Sequence, residues 1–347
     1  MATECVIRPW ERRLFLDCRR AWDLAAHERR SREPVRPARV VDLDRAVNDA
    51  LAVYYFPGMW DWSRAIVAPL ATEAFVKAMR TQRQAHEEAT GAALDDAAAT
   101  RWEADLAAGR RLLPAYYAWA ADFDNWSTVQ VEALFDVTVP DPDAPPGTGL
   151  LAADGRGVQY RVRIDLVVVD DKGKYWLMDH RLRRGAWAEV DDLVLDDQAL
   201  TRAWAWELGF LATVSGTIHN ELRLPEPGEP DTGEWFRRTK IPRSRAEIEG
   251  AGRRVGEQSR LMTRADLASY PTPAATTCPP CEFRAPCLAM MEGDDPEPVL
   301  ERDYRSRVQR DFEEGRLGSV WGFVPHRPDH ARVRLNPPAG PAGPGAS

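Results

Sequence analysis

The residues best suited to chemistry in this sequence are a set of thiols and a pair of acids. Near the C-terminus, CPPCEFRAPC places Cys278, Cys281 and Cys287 at C-x2-C-x5-C spacing, three thiols in one proline-bearing loop that can converge on a single centre. A fourth thiolate is needed to close such a site. Cys18 is a better candidate than Cys5, because it lies on the apolar stripe of a predicted helix that can dock on the loop, whereas Cys5 sits in an extended lead-in. Alone, Cys18 also reads as a small core hydrophobe. The spacing suits zinc and a 4Fe-4S cluster alike and leaves both open.

The acids form the second constellation. In RVRIDLVVVD, strand alternation puts Arg161, Arg163, Asp165 and Val167 on one face and Val162, Ile164, Leu166 and Val168 on the other, so Asp165 interrupts an apolar strand. In KYWLMDHRL, Asp179 and Arg181 are two residues apart and share a side of the next strand. Carboxylates held together on paired strands repel unless a cation lies between them, which is a site for Mg2+ or Mn2+. Such an ion lowers the pKa of a bound water and stabilises charge building on phosphorus. Arg181 adds positive charge, Gln198 on the following helix is placed to reach site or substrate, and Glu132 in VEALFDV is a further candidate ligand. The same residues also describe strand-end ion pairs. EWFRRTKIPRSR crowds Arg237, Arg238, Lys240 and Arg243 beside Trp235 and Phe236. That mixture suits phosphates and stacked bases, and it equally describes a solvated face over two buried aromatics.

These side chains need elements to position them. Helical periodicity runs from Pro9 to about Arg30 and over Leu43 to Phe56, Trp62 to Arg80 and Asp95 to Trp119, so the first third is predicted mostly helical. VQVEALFDVTVP, YRVRIDLVVVDD and KYWLMDHRL predict adjacent strands, followed by a helix from about Asp191 to Phe210 and a strand TIHNELRL, a β-β-β-α-β core. With 347 residues, 44% of them apolar, and 13 Trp, there is ample material for a buried core. A net charge of -8 gives no global attraction to phosphate, so any nucleic-acid site must be a local basic groove. The N-terminus lacks an unbroken apolar leader and no run reaches membrane-spanning length, which points to a cytoplasmic protein with no membrane partner. No internal repeat and no phosphate-binding Gly-Lys-Ser/Thr loop is present.

Taken together the motifs resemble the PD-(D/E)XK nuclease superfamily, and within it the iron-sulfur branch: RecB and AddB nuclease domains and the CRISPR-associated and phage iron-sulfur exonucleases. FLDCRRAWDL looks like the first-cysteine segment, RIDLVVVD the strand of the first acid, MDHR the acid-x-lysine strand, DDQAL the start of the glutamine helix and CPPCEFRAPC the three-cysteine segment. Three positions depart from the pattern: Arg181 stands at the lysine, Asn48 at a metal-binding histidine and Arg202 at a tyrosine one turn after the glutamine. Of the lysines Lys77, Lys172, Lys174 and Lys240, only Lys174 lies near enough in sequence to substitute. The resemblance implies an α/β fold, a restriction-endonuclease-like mixed sheet flanked by helices and closed by a clasp of Cys18, Cys278, Cys281 and Cys287 around a 4Fe-4S cluster. One domain would span residues 1–324: a helical part (1–125), a catalytic core (126–224) and a basic segment with the three-cysteine loop (225–324), ahead of a disordered tail (325–347). The implied activity is Mg2+- or Mn2+-dependent DNA cleavage at Asp165 and Asp179, by an exonuclease on ends or single strands. The alternative is a non-catalytic descendant that binds nucleic acid or a helicase or recombination partner.

Overall fold

Three β-branched, aromatic-rich segments of the sequence do form neighbouring strands, and the sheet they nucleate organises everything else. The computed structural model describes residues 4–35, 42–59, 62–224 and 234–307. The expected tail, and the end of the 225–324 segment, lie outside the described residues.

Strand β1 (Glu4–Ile7) leads into helices α1 (Pro9–Asp17) and α2 (Arg19–Ala25), then β2 (Arg32–Pro34). Helices α3 (Leu43–Tyr54), α4 (Arg64–Thr90) and α5 (Asp96–Phe123) follow. The sheet proper comprises β3 (Trp126–Thr138), β4 (Gly157–Asp170) and β5 (Tyr175–Arg183), then, after α6 (Val190–Val194) and α7 (Asp197–Phe210), β6 (Val214–Arg223) and β7 (Phe236–Pro242). Helices α8 (Arg245–Met262), α9 (Arg284–Glu292) and α10 (Glu297–Asp303) and a short β8 (Tyr304–Ser306) complete the described chain.

The large sheet runs β1-β4-β5-β6-β7, with β3 also paired to β4. It is mixed: β1 is parallel to β4 and β6 is parallel to β5, while β3 against β4, β4 against β5 and β6 against β7 are antiparallel. The β5-to-β6 crossover carries α6 and α7, as a parallel connection requires. One core cluster joins α3, α4 and α5 to Leu166, Val168, Met178, Ile218 and Leu222. A second joins α7 and α8 to Tyr160, Val162, Ile164, Val167 and Leu177. Helix α8 lies close on α7 because Gly252 has no side chain: a Cβ there would stand 2.3 Å from Trp204 Nε1.

Several sequence expectations change in detail. The single helix expected through Cys18 is two helices, with Cys18 in extended backbone (φ -160°) as the cap between them. The helix expected from Asp191 is likewise divided, because the Asp196 carboxylate accepts from the N–H groups of Gln198 and Ala199 and starts a new helix there. EWFRRTKIP, read as a substrate-binding stretch, is mostly the strand β7. No helix among the described residues is long and apolar enough to cross a membrane.

Candidate active site

Asp165 and Asp179 are brought together by strand register. Continuing the Leu166–Met178 pairing sets Asp165 against Asp179 across β4 and β5, and Asp179 is in turn the partner of His219 on β6. A row of three polar side chains therefore crosses three strands. Both acids are buried, and the Asp165 carboxylate accepts from the His180 backbone N–H at 3.0 Å.

The regular alternation expected along β4 breaks at Asp165. Tyr160, Val162 and Ile164 pack under α7 and α8, whereas Leu166 and Val168 pack under α3 to α5. On the neighbouring strand, Glu132 adopts left-handed backbone (φ 48°), close to a bulge between Thr128 and Gln130. A left-handed non-glycine residue costs on the order of 1–2 kcal/mol, and the strained position lies beside the acid pair.

Arginines surround these acids. Arg202, one turn into α7, bonds one oxygen of Asp179, and Arg181 bonds the other and also reaches Asp196. Burial opposes ionisation of Asp179, but the Arg202 and Arg181 charges outweigh it and hold the carboxyl well below its usual range. Asp165 goes the other way: burial, then the charge of Asp179, push it up, with Arg202 and Arg163 only partly compensating. Glu132 is paired with Arg163 at 2.8 Å, yet burial raises it to about 7, helped by Asp165 and Asp49. Burial and then Arg238 hold His180 down at about 3, so it is neutral, and its Nδ1 lies 2.8 Å from Asn220 Nδ2.

Asn48, on α3, is buried and its amide oxygen has no hydrogen-bond partner. It lines, with Asp165, Asp179, Arg181, Gln198 and Arg202, a cavity of about 1120 Å3. Gln198 is exposed at this cavity in the first turn of α7. Glu132 is not a lining residue; it sits behind Arg163, which is.

Sequence reasoning singled out neither Asp196 nor His219. Among the described residues, Asp179, Asp196 and His219 are the group of three whose donor atoms lie within 4.8 Å of one another. A histidine in phase with the acids on a neighbouring strand, and an acid at a helix start, were the available signals, but their meeting depends on the β5–β6 register.

The basic segment has a different placement from the one expected. Arg238 is paired with Asp124 at 2.6 Å, both nearly buried, and stacks on Trp119 and Trp126. Arg237 is spent on the fully buried Glu221, and Arg243 on the carbonyls of Leu193 and Val194. These three guanidiniums brace β7 against the rest of the fold instead of being presented to a phosphate. Lys240 is exposed, with its ammonium over Trp126 and Trp176. Lys174 is exposed in the β4–β5 turn and does not line the cavity.

Around the thiols, Cys18 and Cys281 pack on the same small cluster as Phe283, Leu300 and Tyr304. Burial raises Cys281, and the nearby thiols of Cys18, Cys287 and Cys278 add to it. Arg20 lies 3.6 Å from Cys287 Sγ, and the Ala274 N–H donates to Cys278 Sγ at 3.3 Å. No three of these sulfurs fall within 4.8 Å of one another. Cys5 is buried in β1, apart from this group, and its thiol is pushed up to about 11, chiefly by burial.

The family model of the PD-(D/E)XK nuclease superfamily matches residues 11–288. No curated protein matches the sequence. A solved structure described as "Crystal structure of SSO0001" is similar at 11% identity over 70% of this chain and 91% of that one, with a TM-score of 0.29, a likeness too loose to bear on the site.

Proposed function

The chain belongs to the PD-(D/E)XK nuclease superfamily, and from that premise we propose that it is a Mg2+- or Mn2+-dependent deoxyribonuclease acting on DNA ends or single strands. One observation carries the reading: Asp165 and Asp179, from adjacent strands, meet in a cavity whose lining also includes Arg8, Arg13, Arg45 and Arg161. Arginines outnumber carboxylates in that lining even though Arg161 is paired with Asp136 and Arg8 with Glu11, and the surplus supports the local basic groove that a chain of net charge -8 needs in order to hold a phosphodiester.

The residues fit a hard divalent ion. Two carboxylates and an amide oxygen buried without a partner are oxygen donors of the kind Mg2+ and Mn2+ take. Asp165, Asp179 and Asn48 would hold the ion, which supplies an activated water and stabilises charge on phosphorus. Arg202 and Arg181 keep Asp179 ionised. Arg181 faces the cavity and can meet a phosphate oxygen with N–H groups, but a guanidinium cannot serve as a neutral base.

A second reading is favoured by the arginines on both oxygens of Asp179: a non-catalytic descendant that binds nucleic acid or a helicase or recombination partner. Labelled single-stranded and end-bearing DNA with Mn2+ separates the two. Cleavage by the wild type that falls at least about a hundredfold in Asp165→Ala and Asp179→Ala supports the nuclease. Cleavage indifferent to both substitutions removes this site from the chemistry, and DNA binding without cleavage favours the second reading.

The iron-sulfur assignment belongs to the same proposal. Cys18, Cys278, Cys281 and Cys287 would hold a 4Fe-4S cluster, which supplies a covalent tie between the N-terminal helices and the C-terminal loop. Zinc, which draws four sulfurs to about 2.3 Å from one ion, is the alternative. Iron content and absorbance at about 400 nm after anaerobic purification decide between them.

A further inference from the structure

We propose that Asp179, Asp196 and His219 form a second cation position, built for an ion that accepts nitrogen and oxygen ligands together, Mn2+ in preference to Mg2+. It deepens the metal-dependent reading by sharing Asp179 with it, and its test is independent of cleavage.

The ligand geometry comes from three elements. Asp179 on β5 and His219 on β6 are register partners, and Asp196 caps the first turn of α7 directly above them. His219 is fully buried, yet its Nδ1 has no hydrogen-bond partner and stands 3.9 Å from a carboxylate oxygen of Asp196. A buried imidazole nitrogen that faces a carboxylate without bonding it is an unsatisfied polar atom, and an unprotonated nitrogen in that position is one that a bound ion engages. The buried Glu221, two residues along the same strand, makes the contrast: it is fully engaged by Arg183 and Arg237.

The opposite edge of the imidazole is already oriented. His219 Nε2 lies 3.4 Å from Thr217 Oγ1, and that hydroxyl accepts from Arg243 Nε. The proton's place on this ring depends on the tautomer, and in the tautomer with Nε2–H directed at Thr217 the Nδ1 lone pair faces the two carboxylates and is open to an ion. Metal-binding histidines are commonly held this way, by a hydrogen bond from the second ring nitrogen. One imidazole with two carboxylates favours Mn2+ over Mg2+, which prefers oxygen and retains its waters.

Arg181 bonds both Asp179 and Asp196, and Arg202 bonds the other oxygen of Asp179, so two guanidiniums balance this pair when no ion is bound. Arg181 lines the cavity beside Asp179 and Asp196, with its side chain 28% exposed. An ion held by Asp179, Asp196 and His219 would compete with this guanidinium for the same carboxylate oxygens.

Tag-free protein titrated with Mn2+, with no DNA present, provides the test by pulsed EPR, which detects an imidazole nitrogen coupled to the ion. The wild type should show that coupling, and Asp165→Asn should keep it. Asp196→Asn, which retains an N-capping side chain, should weaken this Mn2+ at least about tenfold, and His219→Gln should abolish the nitrogen coupling. Arg181→Met should tighten binding about tenfold by removing the competing cation, and equimolar Mg2+ should not displace the ion. No nitrogen coupling in folded wild type, coupling that survives His219→Gln, or affinity unchanged in Asp196→Asn overturns the proposal. Failure of the nuclease reading alone would leave the coupling in place.

Discussion

Glu132 shows how much a single side chain senses here. Its carboxyl is buried against Arg163 but raised to about 7, so the folded protein prefers it protonated. A folded-state pKa above the ordinary carboxylate value contributes stability in full below about pH 4.5, and that contribution is lost as pH rises through about 7. Metal-free wild type should therefore lose stability relative to Glu132→Gln between about pH 5 and pH 8, by on the order of 1–3 kcal/mol. Parallel denaturation midpoints for the two proteins across that window would remove Glu132 as the cause. The sequence made Glu132 a candidate ligand, but its own contact is Arg163. Its neighbours Asp165 and Asp179 were legible because period-two alternation and a short turn are local properties. The alternation slip at Asp165 was not, because it depends on which helices cover each half of β4.

At the scale of elements, β7 is the instructive case. Its arginines look like a phosphate-binding stretch in sequence, since charge and aromatic content are all that composition reveals. In the fold, Arg238 pairs with Asp124 at 2.6 Å and lies between Trp119 and Trp126. Removing one partner of a buried pair strands the other, at a cost of about 3–5 kcal/mol. Asp124→Ala should lower the unfolding free energy by that amount and leave the salt dependence of DNA binding unchanged. A weaker salt slope with unaltered stability would instead return Arg238 to the substrate surface. Asp196, ahead of α7, was hidden in the same way: its capping of α7 both divides the expected helix and brings a carboxylate close to Asp179 and His219.

For the whole molecule, the N-terminal helices and the C-terminal loop meet across more than 250 residues of intervening chain, and the thiols lie where they meet. If those thiols hold a cluster, Cys281→Ser should lose iron and absorbance and fall in melting temperature together, because metal binding and closure of this contact are one event. Unchanged iron, zinc and melting temperature would rule the clasp out. The β1-to-β4 pairing and the β2–β8 pair also join early to late segments, so some closure should persist without metal. Local pattern was enough to determine the helical first third, the central strands, the acid pair and the cysteine spacing, since each is written in residues close together in the chain. Tertiary structure alone decided that β6 lies beside β5, that His219 and Asp196 join Asp179, and that the β7 arginines turn inward. Those outcomes rest on crossover register and on which charges meet a buried partner, and both are set by contacts between residues far apart in sequence.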